Sequence, residues 1–371
     1  MGDIVFLSHG GPIVGMGHVI RCLSLAKEFR QKGKKVFFIS KYAVGQQIIL
    51  SEGFEVMPLV SKYELNENQF SYGSSEILEE DWVQIKKILS DRAADAIVVD
   101  SYNVEPWFFH ELKEYTKCLI YIDDLHVADY PVDVIINGNI NAHTLQYPIL
   151  ENQKRLLGLS YNLIRNEFKQ IKNRDKEHQP WNRVLITTGA SDPKDITGNI
   201  LNYLVKMEQF ERFQFKVVLG QAFGKDQNEK NISLYQRYSN IEFYEAPKKM
   251  SNLMKWADYA ISAGGSTIYE LFACGVIVLA FIYADNQVQI VTKASELGYL
   301  YSLGRYEELE EDKFLTILNS VMMSKRLNKI MVKKIQEVVD CKGTERCVAT
   351  ILELIEKDYY CLLYTSPSPR D

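Results

Sequence analysis

The 371-residue chain has no run approaching the roughly 18 consecutive apolar residues that a membrane-spanning helix needs. Its N-terminus enters an apolar strand without the charged, apolar and small-residue order of a secretory signal, so a cytoplasmic location without membrane insertion is expected. Cysteine is sparse and scattered: Cys22, Cys118, Cys274, Cys341, Cys347 and Cys361 form no CxxC pair and have no matching histidine spacing, so buried, reduced thiols are expected rather than a zinc module. The six histidines form neither HxxxH nor HExxH, and no resident metal or cofactor is expected. Charge of one sign is also lacking. With 43 basic against 48 acidic residues, the net charge of -5 gives no global attraction to nucleic acid or an anionic surface.

What is present is a globular composition, 46% hydrophobic and 25% charged, in a chain too long for one typical core. Two domains are the natural division. Apolar runs at Ile4 to Leu7, Lys35 to Ser40, Ala96 to Asp100, Cys118 to Asp123 and Val132 to Asn137 read as strands, with helical segments at Glu76 to Asp91 and Val104 to Tyr115. Such alternation predicts an α/β domain, a doubly wound and mostly parallel sheet, over residues 1-170. Composition turns polar between Glu167 and Trp181, the expected linker. The pattern restarts at Val184-Leu185-Ile186 and continues through strands at Phe215 to Leu219, Ile241 to Tyr244, Tyr259 to Ser262 and Val276 to Phe281, giving a second α/β domain over 181-357. Helices follow from about Glu307, one of them a candidate to brace the first domain. Two doubly wound Rossmann-type domains facing a cleft, with C-terminal helices, is the expected architecture. The Ser-Pro-Ser-Pro-Arg ending places residues 358-371 outside the expected fold, as a non-native or disordered tail.

Two glycine turns carry the chemistry. In Gly15-Met16-Gly17-His18-Val19-Ile20-Arg21, a histidine falls on the first turn of a helix directly after the first strand, where open α/β sheets place their ligands. The positive end of the helix dipole disfavours its charged form, and neutral imidazole can accept a proton from water. A helix-capping histidine is the alternative. In Ala263-Gly264-Gly265-Ser266-Thr267-Ile268-Tyr269-Glu270, free amides after two glycines form an anion site for a pyrophosphate, with Glu270 placed for ribose hydroxyls; close helix packing is the alternative. Asn286 and Gln287, in the loop after the next strand, can bond sugar hydroxyls or phosphate. Asp100 reads equally as a turn cap or a site residue, and Arg21 as a phosphate ligand or a surface ion pair. Asp123 and Asp124 read as a paired acid site or as a solvated strand end, and Asn139 and Asn141 as pocket-lining or turn asparagines. Tyr161 and Arg165 read as packing and domain-closure residues rather than chemical ones.

The order GxGHxxR, DSY, IDD, NGNINA, LSYNLIRNEF, GASD, GGSTIYEL and DNQ resembles the UDP-sugar hydrolases of the pseudaminic acid pathway over about residues 3 to 340. The GGST and NQ elements are shared with the wider GT-B group of glycosyltransferases. The resemblance implies a GT-B-like fold and a metal-independent hydrolysis in which water attacks the anomeric carbon of a UDP-diacetamido-trideoxy-hexose and UDP leaves, within surface-polysaccharide or flagellin glycosylation. It implies His18 as general base, Tyr102 as an active-site tyrosine and Asn286 as a substrate contact. Gly15, Gly17, Arg21, Asp100, Asn139, Asn141, Gly264, Gly265, Ser266, Thr267, Glu270 and Gln287 complete the expected substrate site. One departure stands out: Leu7 and His9 occupy positions where the family often carries arginine and aspartate, leaving the sugar open. A glycosyltransferase using the same donor and a noncatalytic UDP-sugar-binding protein are the alternatives.

Overall fold

The computed structural model describes residues 2-11, 14-60, 75-169, 171, 181-190, 192-220 and 223-365. The chain forms two compact units. Unit 1 is Met1–Gly138, Ala142–Leu163 and Lys342–Asp371; unit 2 is Asn139–Asn141 and Ile164–Cys341. Most of the polar stretch expected as a linker, including 172-180, lies outside the described residues.

Unit 1 is built on a seven-stranded parallel sheet of order β3-β2-β1-β4-β5-β6-β7. Its strands are β1 (Asp3–Ser8), β2 (Val36–Ser40), β3 (Glu55–Pro58), β4 (Ala94–Asp100), β5 (Thr116–Ile122), β6 (Val134–Asn137) and β7 (Lys154–Leu157). Strand order reverses between β1 and β4, whose register pairs Leu7 with Val99 and Ser8 with Asp100. Such a reversal leaves a crevice beyond the carboxyl ends of the two strands, where side chains from their loops converge. Because helices cover both faces, the central strands are apolar throughout: every residue of β4 is buried.

On one face of this sheet, Val5, Leu7, Phe37 and Ile39 pack with Leu78, Ile85 and Leu89 of α3 (Ser75–Ser90) and with Phe108, Phe109 and Leu112 of α4 (Pro106–Lys113). On the other, Phe6 stacks on Phe38 with centroids 4.9 Å apart and meets Phe29 of α1 (Gly17–Gln31) edge-on. The final helix, α12 (Gly343–Thr365), packs on α1 and β5, burying Cys347, Val348, Ile351 and Ile355 at helical spacing. A Cβ on Gly343 would lie 2.3 Å from the Asn162 carbonyl, so this entry point admits only glycine. Helix α12 therefore belongs with the first sheet rather than with the second domain expected to run to 357, and residues 358-365, expected outside the fold, continue it. Residues 366-371 lie outside the described residues.

Unit 2 repeats the topology with six parallel strands in the order β10-β9-β8-β11-β12-β13. These are β8 (Arg183–Thr187), β9 (Gln214–Leu219), β10 (Ile241–Glu245), β11 (Tyr259–Ala263), β12 (Ile277–Ile282) and β13 (Tyr301–Arg305). Here the reversal lies between β8 and β11. Helix α8 (Thr267–Ala273) is buried from Ile268 onward because α11 (Lys325–Val338) packs over it. Among the described residues no helix is long and apolar enough to cross a membrane.

Candidate active site

In unit 1, the loop after β1 turns back through a bridge from the Gly11 amide to the Gly15 carbonyl at 3.1 Å, with Gly15 at φ +75°. Helix α1 then begins at Gly17, so His18 sits in its first turn and is 8% exposed. Its Nδ1 lies 2.5 Å from Asp100 Oδ1 at the end of β4. Arg21, one turn further on, grips the same carboxylate twice, Nε to Oδ2 and Nη2 to Oδ1, both at 2.6 Å. Its Nη1 donates to Asp124 Oδ2 at 2.7 Å, and the Tyr102 hydroxyl donates to that oxygen at 2.9 Å. The Tyr102 and His18 rings meet edge-on with centroids 4.6 Å apart.

Electrostatics fixes the protonation pattern. Burial pushes the Asp100 carboxyl up, but the Arg21 guanidinium and His18 outweigh it and hold the group well below the ordinary carboxylate range. Burial likewise opposes charge on Arg21, and Asp100 and Asp124 overcome it. An ionised Asp100 can only accept, so the short contact is an Nδ1–H donating to the carboxylate. Arg21 Nη2 lies 3.3 Å from the same nitrogen, but its proton is directed at Asp100 Oδ1. With Nδ1 turned to Asp100, Nε2 is the ring nitrogen that this network does not hold, the orientation that a carboxylate gives a catalytic histidine.

His18, Asp100 and Tyr102 line a narrow pocket with a free volume of about 40 Å³. Its other walls bring in Leu7, His9, Lys41 and Asp81, with apolar side chains of α3 and α4. Both departures from the family pattern, Leu7 and His9, thus lie on this wall. Lys41 donates to Asp81 at 2.8 Å, and the two side chains are 2% and 6% exposed. Burial, then the positive charge of Lys41, pushes the His9 imidazole down to about 4. The Cys22 thiol beside Asp100 is pushed up by burial and is inert at neutral pH.

The expected residues divide between the units. His18, Arg21, Asp100 and Tyr102 meet in unit 1. Arg21 is not a surface ion pair: its bonds to Asp100 and Asp124 tie the ends of two strands together. Of the two readings of Asp123 and Asp124, the solvated strand end is overturned: Asp123 is 1% exposed and accepts from the Leu125 and His126 amides, while Asp124 anchors Arg21 and Tyr102. Asn139 and Asn141 are not among the residues lining the pocket. They belong to unit 2, where Tyr269 Oη donates to Asn139 Oδ1 at 3.2 Å and Asn141 Nδ2 donates to Gln289 at 3.1 Å.

In unit 2, Gly264 donates its amide to the Phe281 carbonyl at 2.9 Å, and a Cβ there would lie 2.2 Å from Val291 Cγ2. Close packing therefore accounts for this glycine. A Cβ on Gly265 would meet only Gln287 Nε2 at 3.8 Å, and the amides of Gly265, Ser266 and Thr267 have no acceptor among the described residues. Glu270 is held by a fork from Arg165, Nε to Oε1 and Nη2 to Oε2, both at 2.6 Å. Arg165 is thus an ion-pair partner that also packs over the Phe168 ring, 5.2 Å from its centroid. Gln287 Oε1 accepts from the Tyr283 amide at 2.9 Å, and Asn286 is exposed. In the GASD turn, Asp192 caps the following helix through the Ile196 and Thr197 amides. Among the described residues no group of three or more histidine, cysteine or acidic side chains could hold a metal ion.

Sequence reasoning missed Lys41 and Asp81, and gave Asp124 an acid-site reading only beside that of a solvated strand end. The signal available for Asp124 and Lys41 was position: each charge follows the carboxyl end of a parallel strand, as Asp100 ends β4.

Against known proteins, the chain superposes on MurG of Acinetobacter baumannii with a TM-score of 0.65 and 16% identity, covering 95% of this chain and 99% of that one. The fold is GT-B. Residues 168–342 match the glycosyltransferase family 28 C-terminal domain. The chain is 24% identical to the spore coat polysaccharide biosynthesis protein SpsG of Bacillus subtilis, covering 94% of this chain and 97% of that protein. It is 22% identical to the UDP-2,4-diacetamido-2,4,6-trideoxy-beta-L-altropyranose hydrolase of Campylobacter jejuni, covering 80% and 97%. An uncharacterized protein of Methanocaldococcus jannaschii is 27% identical over 77% of this chain, which spans 56% of that protein's length. The resemblance to the hydrolases of the pseudaminic acid pathway stands on these likenesses.

Proposed function

We propose that the protein is a UDP-sugar hydrolase that cleaves the anomeric C–O bond, giving UDP and free sugar, with a UDP-diacetamido-trideoxy-hexose of nonulosonic acid synthesis as substrate. The observation that carries the reading is the His18–Asp100 contact at 2.5 Å, with Arg21 forked on the same carboxylate. Water attack on an anomeric carbon needs a base that is neutral at rest and stabilised once it takes the proton. His18 is placed to serve as that base through Nε2, and the ionised Asp100 stabilises the charge it gains.

In this reading unit 2 binds the leaving group. The amides of Gly265, Ser266 and Thr267 take pyrophosphate oxygens and stabilise the charge that grows as the bond breaks. Glu270, fixed by Arg165, and Gln287 take hydroxyls of the nucleoside or sugar, and Asn286 contacts the substrate. Resemblance to the named Campylobacter hydrolase supports water as the acceptor. Transfer to another acceptor on the same donor is the second reading, favoured by the family 28 domain match.

Incubation with a panel of UDP-sugars and no acceptor separates the two. Hydrolysis releases UDP and sugar at a catalytic rate; release only when an acceptor is added assigns a transferase instead. His18→Asn is expected to slow release about 10²–10⁴-fold with UDP affinity unchanged. Release near the wild-type rate would remove His18 from the chemistry.

A further inference from the structure

The outer face of α11 plays no part in the reaction proposed above. Asn328 fixes the roll of this helix: its Nδ2 donates to the Val321 carbonyl of α10 (Glu311–Met323) at 2.7 Å, and its Oδ1 accepts from the Tyr301 hydroxyl at 2.9 Å. Asn328, Met331 and Ile335 are thereby buried, and the opposite side meets solvent. That side combines two features. Leu327 and Ile330 are 61% and 47% exposed, and Met323, one turn earlier at the end of α10, is 85% exposed. Around them Lys325, Arg326, Lys329, Lys333 and Lys334 are all exposed, and none has an ion-pair partner among the described residues.

Charge sorting sets this face apart from the rest of the chain. No acidic residue occurs from Lys313 to Gln336, although the whole chain carries 48 acidic against 43 basic residues. The net charge of -5 conceals a local cationic surface. Lys325, Lys329 and Lys333 follow one another at a four-residue spacing, at which like charges weaken a helix. The apolar side chains between them add nothing to the core.

The chemistry of the face selects its partner. A second copy of this chain fails on charge, since a two-fold contact would press five unpaired cations against five. Nucleic acid would meet the cations and leave Leu327 and Ile330 against phosphate. An anionic lipid surface satisfies both features: headgroups neutralise the lysines, and the apolar side chains enter the boundary of the acyl layer.

We propose that the outer face of α11, with Met323, is a docking surface for an anionic phospholipid membrane, on which unit 2 rests peripherally without inserting a helix. Lysine stems lie along the boundary while their ammonium groups stay among the headgroups. The proposal does not depend on the UDP-sugar reading, because every residue it uses lies outside the candidate site.

The test is co-sedimentation of the full chain at low salt with vesicles of phosphatidylcholine and phosphatidylserine mixed about 3:1, against phosphatidylcholine alone. The mixed vesicles are expected to bind at least about tenfold more tightly, and high salt to shrink that margin by screening. Lys329→Gln with Lys333→Gln should weaken binding to the mixed vesicles about 25-fold, at about fivefold per cation. Leu327→Ser with Ile330→Ser removes apolar contact and should weaken binding at low and high salt alike. All four positions are exposed, so both double variants should keep the wild-type urea midpoint. No binding to the mixed vesicles, equal binding to the two kinds, or wild-type binding by either double variant would overturn the proposal. So would self-association abolished by Leu327→Ser with Ile330→Ser, which would make the face an interface between copies, or duplex DNA displacing the vesicles and binding more tightly than they do.

Discussion

The two units share one topology and use its switch point differently. At the β1/β4 reversal, charged side chains from successive strand ends are wired together: His18 to Asp100, Asp100 to Arg21, Arg21 to Asp124, Asp124 to Tyr102. At the β8/β11 reversal the side chains are quieter. Asp192 caps a helix, Gly264 packs against Val291, and the unused polar capacity is three backbone amides. A parallel sheet thus supplies the location, while the residues that close its strand ends decide whether it holds a network of charged side chains or a row of backbone amides.

The sharpest way to break this contrast is Asp100→Asn. It removes the charge that orders His18 and leaves Arg21 with one carboxylate, so urea unfolding should show a loss of about 3–5 kcal/mol. Stability within about 0.5 kcal/mol of wild type would mean that the network is decorative, since surface changes have effects of that size. In unit 2, Gly264→Ala drives a methyl into Val291 and should cost about 1–3 kcal/mol through overpacking. An unchanged midpoint would restore Gly264 as a residue kept for ligand approach.

A smaller effect concerns pH. The His9 pKa, at about 4, lies below the roughly 6.5 of an unfolded chain, so as pH falls through that interval the unfolded state takes up a proton that the folded state refuses. Stability is therefore lost between about pH 6.5 and 4, and His9→Asn should lose about 2 kcal/mol less over that range when urea midpoints are compared. Parallel declines in the two proteins would show that the ring titrates freely.

Central strands were legible because burial on both faces makes them continuous apolar runs, as in Ala94–Asp100 and Ile277–Ile282. Of the four edge strands, β10 alone was. Glu55–Pro58, Lys154–Leu157 and Tyr301–Arg305 each lie at the margin of a sheet and carry polar or half-exposed residues that break the run. In the site, His18 was legible through its glycine turn, and Asp100 as one of two readings. Asp124 carried two readings because nothing local distinguishes a solvated aspartate from one gripped by an arginine 103 positions earlier. The Arg165–Glu270 fork joins residues 105 positions apart and has no local signature either.

The return of α12 to the first sheet has a consequence for biosynthesis. Unit 2 occupies the stretch between Ile164 and Cys341, and the helix that covers part of the first sheet follows it. A ribosome therefore releases residues 1-163 long before Cys347, Val348, Ile351 and Ile355 exist to shield the apolar surface they cover. Domains usually mature in the order they are made. Here the first to emerge is the last to be completed, and its exposed face must outlast the synthesis of an entire second sheet.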